Sequence, residues 1–495
     1  MTTHGIELCD VGLRAAVCEK EDPRLLSVTD EAGAADWPGF AAFDGVKYAF
    51  GQAAEDIWCV HPRRVAHTFW SKLNHEASAL AVTPRPPSFS ELAYFFLREF
   101  TQRLAKSGGA PESIVLAVPG AYLKDDAAEE EKIGLLLGMA HELKLPLAGV
   151  IDMGCAALCD PRAVGFNPAR PVLLVDLHLH AAELSLFTAE EKLQRRVFLH
   201  LPQSGLAELL KHLTSTMGNR FLRQTAFDIL ADGRIEQVFF WQTKTFLTGG
   251  AAEHRYHINT SKRAYEMLAK REHLATDAQP FVTALVQAIQ RFAEHNSISP
   301  ALCTLALSDR AAWLPQLETR LRAAGFGRFL RLPAGAAAAG AACIGTARLS
   351  APADLSDVPV EKSVPIADTR HHHATAWEVR LHQTRGGVTR PAPTHAILDG
   401  VGHLLSGNGH FTIAAPDHDS DVALPEAFNA GGNCSVPLVR DGGRLWFSEI
   451  ATAGHSHDPS QRVVIESGDR LTLRCGAASV DVLFAHCRNG HGASA

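Results

Sequence analysis

Histidine and carboxylate spacing is the first feature of this chain that could carry chemistry. His178-x-His180 places two imidazoles on one face of an extended segment, and Asp176 shares their parity. That spacing suits ligands of a zinc-type ion, although no fourth ligand stands near in sequence, which weighs against zinc. His371-His372-His373 falls in a proline-rich polar stretch and reads as a solvated tract. His455-x-His457 with Asp458 reads as loop composition. Cys155 and Cys159 stand one helical turn apart and read as core residues rather than a redox pair. The sequence has no Gly-x-Ser-x-Gly elbow, no Walker A loop and no Rossmann fingerprint, so a hydrolase or dehydrogenase reading has no support.

The elements that must position these residues follow from periodicity. Ile114–Pro119 is a short apolar run ending at proline, the pattern of a buried strand. Asp125–Lys144 has apolar residues at helical spacing and an acidic first turn (Asp125, Asp126, Glu129), which suits a helix N-terminus. Pro171–Asp176 and Leu302–Leu307 are further buried strands, and Trp313–Ala324 is helical in pattern. Alternation of this kind predicts α/β layers. From 351 to 374 prolines and polar residues without periodicity predict a linker. Beyond it, seven short runs split by turn residues predict a small β-sandwich over 375–487: Ala396–Leu398, Phe411–Ala414, Ser435–Val439, Arg444–Phe447, Arg462–Ile465, Arg470–Leu473 and Val480–Phe484. Residues 488–495 read as a disordered tail.

Composition bounds the function classes. The 495 residues are 46% hydrophobic and 20% charged, which fits globular domains and excludes wholesale disorder. Lysine plus arginine is 47 against 54 acidic residues, a net charge of −7, so a general nucleic-acid binder is not expected. No apolar run approaches the roughly 20 residues that span a bilayer, so no membrane insertion is expected. No signal peptide is legible at the start, and the ten cysteines contain no Cys-x-x-Cys pair. The expected compartment is reducing and cytoplasmic.

Five segments fall in a telling order: Gly5–Gly12; Phe50–Ala54 with Pro62 and Phe69–Leu73; Val118-Pro119 followed by Val150–Ala157; Leu174–His178; and Leu305–Pro315 followed by Ala334–Gly345. In that order they resemble the DnaK-type (seventy-kilodalton heat-shock) chaperone ATPase family of the actin-like superfamily. The resemblance implies a two-lobed, actin-like ATPase fold, built of duplicated ribonuclease-H-like subdomains, over 1–350. It implies ATP or ADP with Mg²⁺ as cofactor. It puts Asp10 and Asp176 in the place of the metal-shell carboxylates, Lys72 in the place of the phosphate-reaching lysine, and Asp152 in the place of a glutamate. Residues 375–487 faintly resemble a forkhead-associated domain, chiefly through Val464–Leu473.

The cradle departs from the family. Gly12-Leu13-Arg14 stands where the family has Gly-Thr-Thr, and Leu177-His178-Leu179-His180-Ala181 where it has Leu-Gly-Gly-Gly-Thr. Ser308-Asp309-Arg310 replaces the glycine pair beside the adenine. Glycine backbone approaching phosphate is lost at all three places, while Arg14 retains a guanidinium able to meet a phosphate. The forkhead-like part likewise lacks the phosphate-reading arginine: Ser406–His410 replaces it, and Asn433 has no convincing serine–histidine partner. The expectation is therefore a pseudo-ATPase or weak nucleotide binder that serves as a protein-interaction or assembly module. The alternatives are an active chaperone-like ATPase and a sugar-kinase-like enzyme of the same superfamily.

Overall fold

The computed structural model describes all of the chain apart from 1, 20–21, 29–35, 79, 81–84, 164–165, 167–169, 190, 350–351, 353–354, 366–377, 384–389, 406–408, 415–420, 426–434, 442, 449–461, 476–477 and 488–495. It is a mixed α/β protein with two compact units, Met1–Thr369 and Arg370–Ala495. No helix among the described residues is long and apolar enough to cross a membrane. The expected histidine tracts 371–373 and 455–457, Ser406–Asn408, Asn433 and the tail 488–495 lie outside the described residues.

The first unit contains one five-strand arrangement twice. In the first sheet, Thr3–Leu8 pairs antiparallel with Gly12–Glu19, which pairs antiparallel with Asp22–Leu26. On its other side Thr3–Leu8 runs parallel to Ser113–Val118, and that strand parallel to Leu147–Asp152. The second sheet repeats the order. Val172–Leu177 pairs antiparallel with Ala181–Ala189, and that strand with Lys192–Pro202. Val172–Leu177 then runs parallel to Thr304–Leu307, which runs parallel to Phe329–Arg331. The central strands read as continuous apolar runs because both faces are covered. Thr3–Leu8, Ser113–Val118 and Leu147–Asp152 are buried along their whole length.

Helices cover these faces for reasons legible in sequence. Phe89–Gly108 starts at a capping box, with Ser88 accepting from the Glu91 N–H and Glu91 accepting from the Ser88 N–H. Its residues Leu92, Phe96, Leu97, Phe100 and Leu104 recur at helical spacing and are buried. Asp125 caps Asp126–Glu142 by accepting from the Ala128 N–H at 2.8 Å. The small-residue helix Ala336–Arg348 lies close against the first sheet. A Cβ on Gly5 would come within 2.0 Å of the Ala338 carbonyl oxygen, and one on Gly340 within 1.8 Å of the Ala156 oxygen, so only glycine permits this approach.

The second unit is a sandwich of two five-stranded sheets. All seven expected strands are present, joined by Glu378–His382, Val401–Leu404 and Val422–Ala423. One core unites the sheets: Leu471, Leu473, Val480, Val482 and Phe484 from one, Ile413, Val436, Leu438, Leu445 and Ile465 from the other. The two-residue alternation within each strand puts these side chains on a single face.

The stretch read as a linker differs from expectation. Val360–Glu361 pairs parallel with the Leu147–Asp152 strand of the first sheet, and Ser363–Pro365 pairs antiparallel with Lys192–Gln194 of the second. Val358 and Val364 are buried. Valine recurs at 358, 360 and 364, the alternation of a strand. The flanking prolines mask it, although Pro359 still accepts the Val150 N–H through its carbonyl. This segment therefore closes an edge of both sheets. A fragment ending at residue 369 is expected to unfold cooperatively with its own melting transition. One ending at residue 350 is expected to melt markedly lower or to aggregate through its bared edges. Equal melting temperatures for the two fragments, followed by circular dichroism, would remove the structural role given to 358–365.

Candidate functional site

The two duplicated hairpins meet at their turns, Cys9–Val11 and His178–His180. Equivalent register makes the correspondence explicit. Leu8 faces Leu13 and Glu7 faces Arg14 in the first hairpin, while Leu177 faces Ala182 and Asp176 faces Glu183 in the second. Glu7 is thus the counterpart of Asp176, and Cys9 the counterpart of His178. Asp10, which the sequence reading paired with Asp176, lies three residues further on, in the turn.

Asp10 is buried and satisfied by the opposite turn. Its Oδ1 accepts from the Leu179 N–H at 2.8 Å and its Oδ2 from the His180 N–H at 3.3 Å. Cys9 Sγ lies 3.0 Å from His178 Nδ1 and 3.6 Å from Asp10 Oδ1. On the far side of the ring, His178 Nε2 lies 3.4 Å from Glu183 and 3.5 Å from Asp176. Burial opposes charge on this imidazole, but the Cys9 sulfur and the Glu183 and Asp176 carboxylates outweigh it and lift its pKa well above the ordinary histidine value. Burial would raise Glu183 as well, yet the His178 ring beside it holds its carboxyl below the usual range. Burial pushes the Cys9 thiol up.

A second cluster of charge lies beside the first. Arg14 donates to Asp309 through Nη1 at 3.1 Å and Nη2 at 2.8 Å, and to Asp36 through Nη2 at 2.9 Å. Arg310 reaches Glu7 at 2.8 Å and Asp36 at 2.9 Å, and its Nη1 lies 3.8 Å from Cys9 Sγ. Both guanidiniums are almost fully buried, Arg310 at 1% exposure. Burial raises Glu7 despite these two arginines, whereas Arg14 and Arg310 overcome the burial of Asp36 and hold it far below the carboxylate range.

The remaining expected site residues have local structural duties. Gly12 lets the Trp37 carbonyl approach, since a Cβ there would come within 2.6 Å of that oxygen, and Leu13 is wholly buried beside it. Ser308 caps the short helix Asp309–Ala312 by accepting from the Ala311 N–H at 3.3 Å. Asp152 caps Met153–Leu158 by accepting from the Gly154 and Cys155 N–H groups, and pairs with Arg195 at 3.2 Å. Lys72 is exposed, with its ammonium 5.4 Å from the centre of the Phe89 ring; among the described residues it has no ion pair with Asp10, Asp152 or Asp176. His180 packs against His67, with Nε2 2.9 Å from His67 Nδ1 and 3.0 Å from the His67 carbonyl. The His180 Nε2 proton donates to both, so His67 Nδ1 is an acceptor.

The structure therefore gathers Asp10, Arg14, Asp176, His178 and Asp309 around the two turns and leaves Lys72 outside. Sequence reasoning missed Glu7, Cys9, Asp36, Glu183 and Arg310. Glu7 was within reach, because a hairpin turning at Cys9–Val11 must set it against Arg14. A cavity of about 20 Å³, lined in part by Glu7, Asp176, Ser308, Asp309 and Arg310, adjoins the cluster. That is room for about one water. Comparison of the chain with protein-family models and with curated protein sequences gives no match.

Two outcomes follow. Arg310→Met strands Glu7 and Asp36 and is expected to cost about 3–5 kcal/mol of unfolding free energy in urea. Arg310→Lys should recover only part of it, because one ammonium cannot serve both carboxylates as the fork does; a loss under about 1 kcal/mol for the methionine variant would contradict this. Burial, then the neighbouring His180, push His67 down to about 4. The unfolded chain, near 6.5, takes up that proton first. The contribution is complete above pH 6.5 and disappears as pH falls toward 4. It amounts to roughly 2 kcal/mol after allowance for partial exposure. Between pH 7 and pH 4.5 the stability of His67→Gln should fall by about that much less than the parent's.

Proposed function

We propose that the first unit is an actin-like, DnaK-type ATPase fold that has lost nucleotide turnover and serves as a protein-interaction or assembly module, with the forkhead-like sandwich as a second docking unit. The repeated five-strand order is what duplicated ribonuclease-H-like subdomains would produce, and it supports the fold reading. The observation that carries the loss of turnover is the bonding of the second hairpin turn. In the family such a turn offers its N–H groups to phosphate. Here the Leu179 and His180 N–H groups donate to the Asp10 carboxylate. An anion would have to displace a buried carboxylate to claim them.

The residues present do not fit Mg²⁺–ATP. The sulfur of Cys9 stands where an oxygen-preferring cation needs oxygen, the Leu179 and His180 N–H groups are held by Asp10, and Arg14 is spent on Asp36 and Asp309. Lys72, the expected source of positive charge for the phosphates, faces the surface. Losing two or three charge-assisted hydrogen bonds, each about 1.5–3 kcal/mol, weakens binding by roughly 10²–10⁶-fold. What such a fold retains is surface and rigidity, the properties an assembly module uses.

Calorimetric titration of the full chain with Mg²⁺–ATP and Mg²⁺–ADP at neutral pH should show no binding below the millimolar range and no phosphate release. Low-micromolar binding abolished by Asp10→Ala would overturn the proposal and favour an active chaperone-like ATPase.

A further inference from the structure

We infer that Cys9, Asp10 and His178 form a binding site for a zinc-type transition-metal ion at the meeting of the two hairpin turns. Cys9 Sγ, Asp10 Oδ1 and His178 Nδ1 make a triangle with edges of 3.0, 3.6 and 3.9 Å. These three atoms lie within 4.8 Å of one another and all three residues are buried. Metal bonds of about 2.0–2.3 Å at tetrahedral angles require ligand separations of roughly 3.3–3.6 Å. The triangle needs adjustments of a few tenths of an ångström to receive such an ion. The site differs from the His178-x-His180 pair that spacing suggests, because the His180 ring turns away to His67.

The surroundings are those of a metal centre. A ligating histidine ordinarily donates its other ring N–H to a carboxylate, which orients the ring and raises its basicity. His178 would coordinate through Nδ1, and its Nε2 lies 3.4 Å from Glu183 and 3.5 Å from Asp176, near enough to reach either carboxylate by a small rotation although no hydrogen bond is made at these positions. Asp10 is oriented in turn by the Leu179 and His180 N–H groups. Asp176 Oδ1 is a buried oxygen with no hydrogen-bond partner, and Asp176 lines the cavity of about 20 Å³. That cavity lies on the Nε2 side of the His178 ring and is lined by none of the three ligands, so the ion is held by Cys9, Asp10 and His178 and its fourth ligand comes from solvent.

Charge and softness favour zinc or cobalt over magnesium. Thiolate and imidazole are poor partners for Mg²⁺ and good ones for Zn²⁺. On binding, one proton leaves the Cys9 thiol and one leaves His178 Nδ1, both to solvent. The ion with one thiolate, one carboxylate and one neutral imidazole is then electrically neutral, which a buried site requires. The inference rests on local geometry alone and is independent of the actin-like reading; a failed nucleotide titration leaves it standing.

The test uses the full chain stripped with a chelator and reloaded with Zn²⁺ or Co²⁺. One equivalent should bind. X-ray absorption of the zinc form should show one sulfur at about 2.3 Å with the remaining ligands nitrogen or oxygen at about 2.0–2.2 Å. The cobalt form should show a near-ultraviolet thiolate-to-metal band that Cys9→Ser abolishes and that Cys487→Ser, at an exposed cysteine, leaves intact. Glu183→Gln should weaken affinity about 10–100-fold. A metal shell with no sulfur or with two or more, a thiolate band that survives Cys9→Ser, or failure to bind one equivalent would overturn the assignment. The absorption measurement on the parent protein decides the case even where Cys9→Ser does not fold.

Discussion

The neutralisation of two buried guanidiniums constrains the first unit more than any other interaction. Arg14 and Arg310 lie in a low-dielectric interior, where an unpaired charge is prohibitive and the group cannot shed its proton. Three carboxylates must therefore stay in place: Glu7 on the first strand, Asp36 just before Trp37, and Asp309 on the short helix of the second sheet. Arg14 comes from the first hairpin and Arg310 from beyond the Thr304–Leu307 strand, so each arginine holds a carboxylate from the other's side. Five charges join the two sheets at one point. Such a network does not raise stability by its presence, since apolar replacements of the same shape often do as well. What it does is fix relative placement, because any slip of one sheet against the other leaves a charge unpaired.

Fixing the sheets there determines what their turns can do. Cys9 and His178 occupy equivalent places in the two hairpins, and the pseudo-equivalence brings them face to face at 3.0 Å. A pair of glycines at these places would leave an open cleft floored by N–H groups. A thiol and an imidazole instead fill the cleft with donors and acceptors that satisfy one another. The counterparts Glu7 and Asp176 differ likewise in what they hold. Glu7 neutralises Arg310, whereas Asp176 and Glu183 together surround the His178 ring. One architecture thus holds a cation of the protein's own on one side and a protonatable ring on the other.

Much of the fold was legible from residue types. The buried strands announce themselves as apolar runs, the helix Asp126–Glu142 by its acidic first turn, and the sandwich strands by alternation between turn residues. Val360–Glu361 and Ser363–Pro365 were not, because a strand of two or three residues beside prolines carries too little pattern to distinguish it from a linker. The site was legible in part. Asp10, Arg14 and Asp309 were named through the resemblance, His178 and Asp176 also through their shared parity, and the structure gathers them. Asp36, Glu183 and Arg310 did not stand out, because their importance comes from partners 22 to 303 positions away or from a cross-strand facing that only the register reveals. Lys72 was named through the resemblance alone, and its long stem sets the ammonium beside Phe89 at an exposed position.

The same contacts close the junction between the two turns from within. A buried polar group left without a hydrogen bond costs about 1–3 kcal/mol, and at this junction His178 Nε2 and Asp176 Oδ1 stand in that position. Otherwise the Leu179 and His180 N–H groups are taken by Asp10, the His178 ring stands between Cys9 at one nitrogen and two carboxylates at the other, and Arg14 in the first hairpin is matched by acids from two further segments. An anion entering this junction would have to break those contacts, so what the turns present is a closed surface rather than a row of free N–H groups.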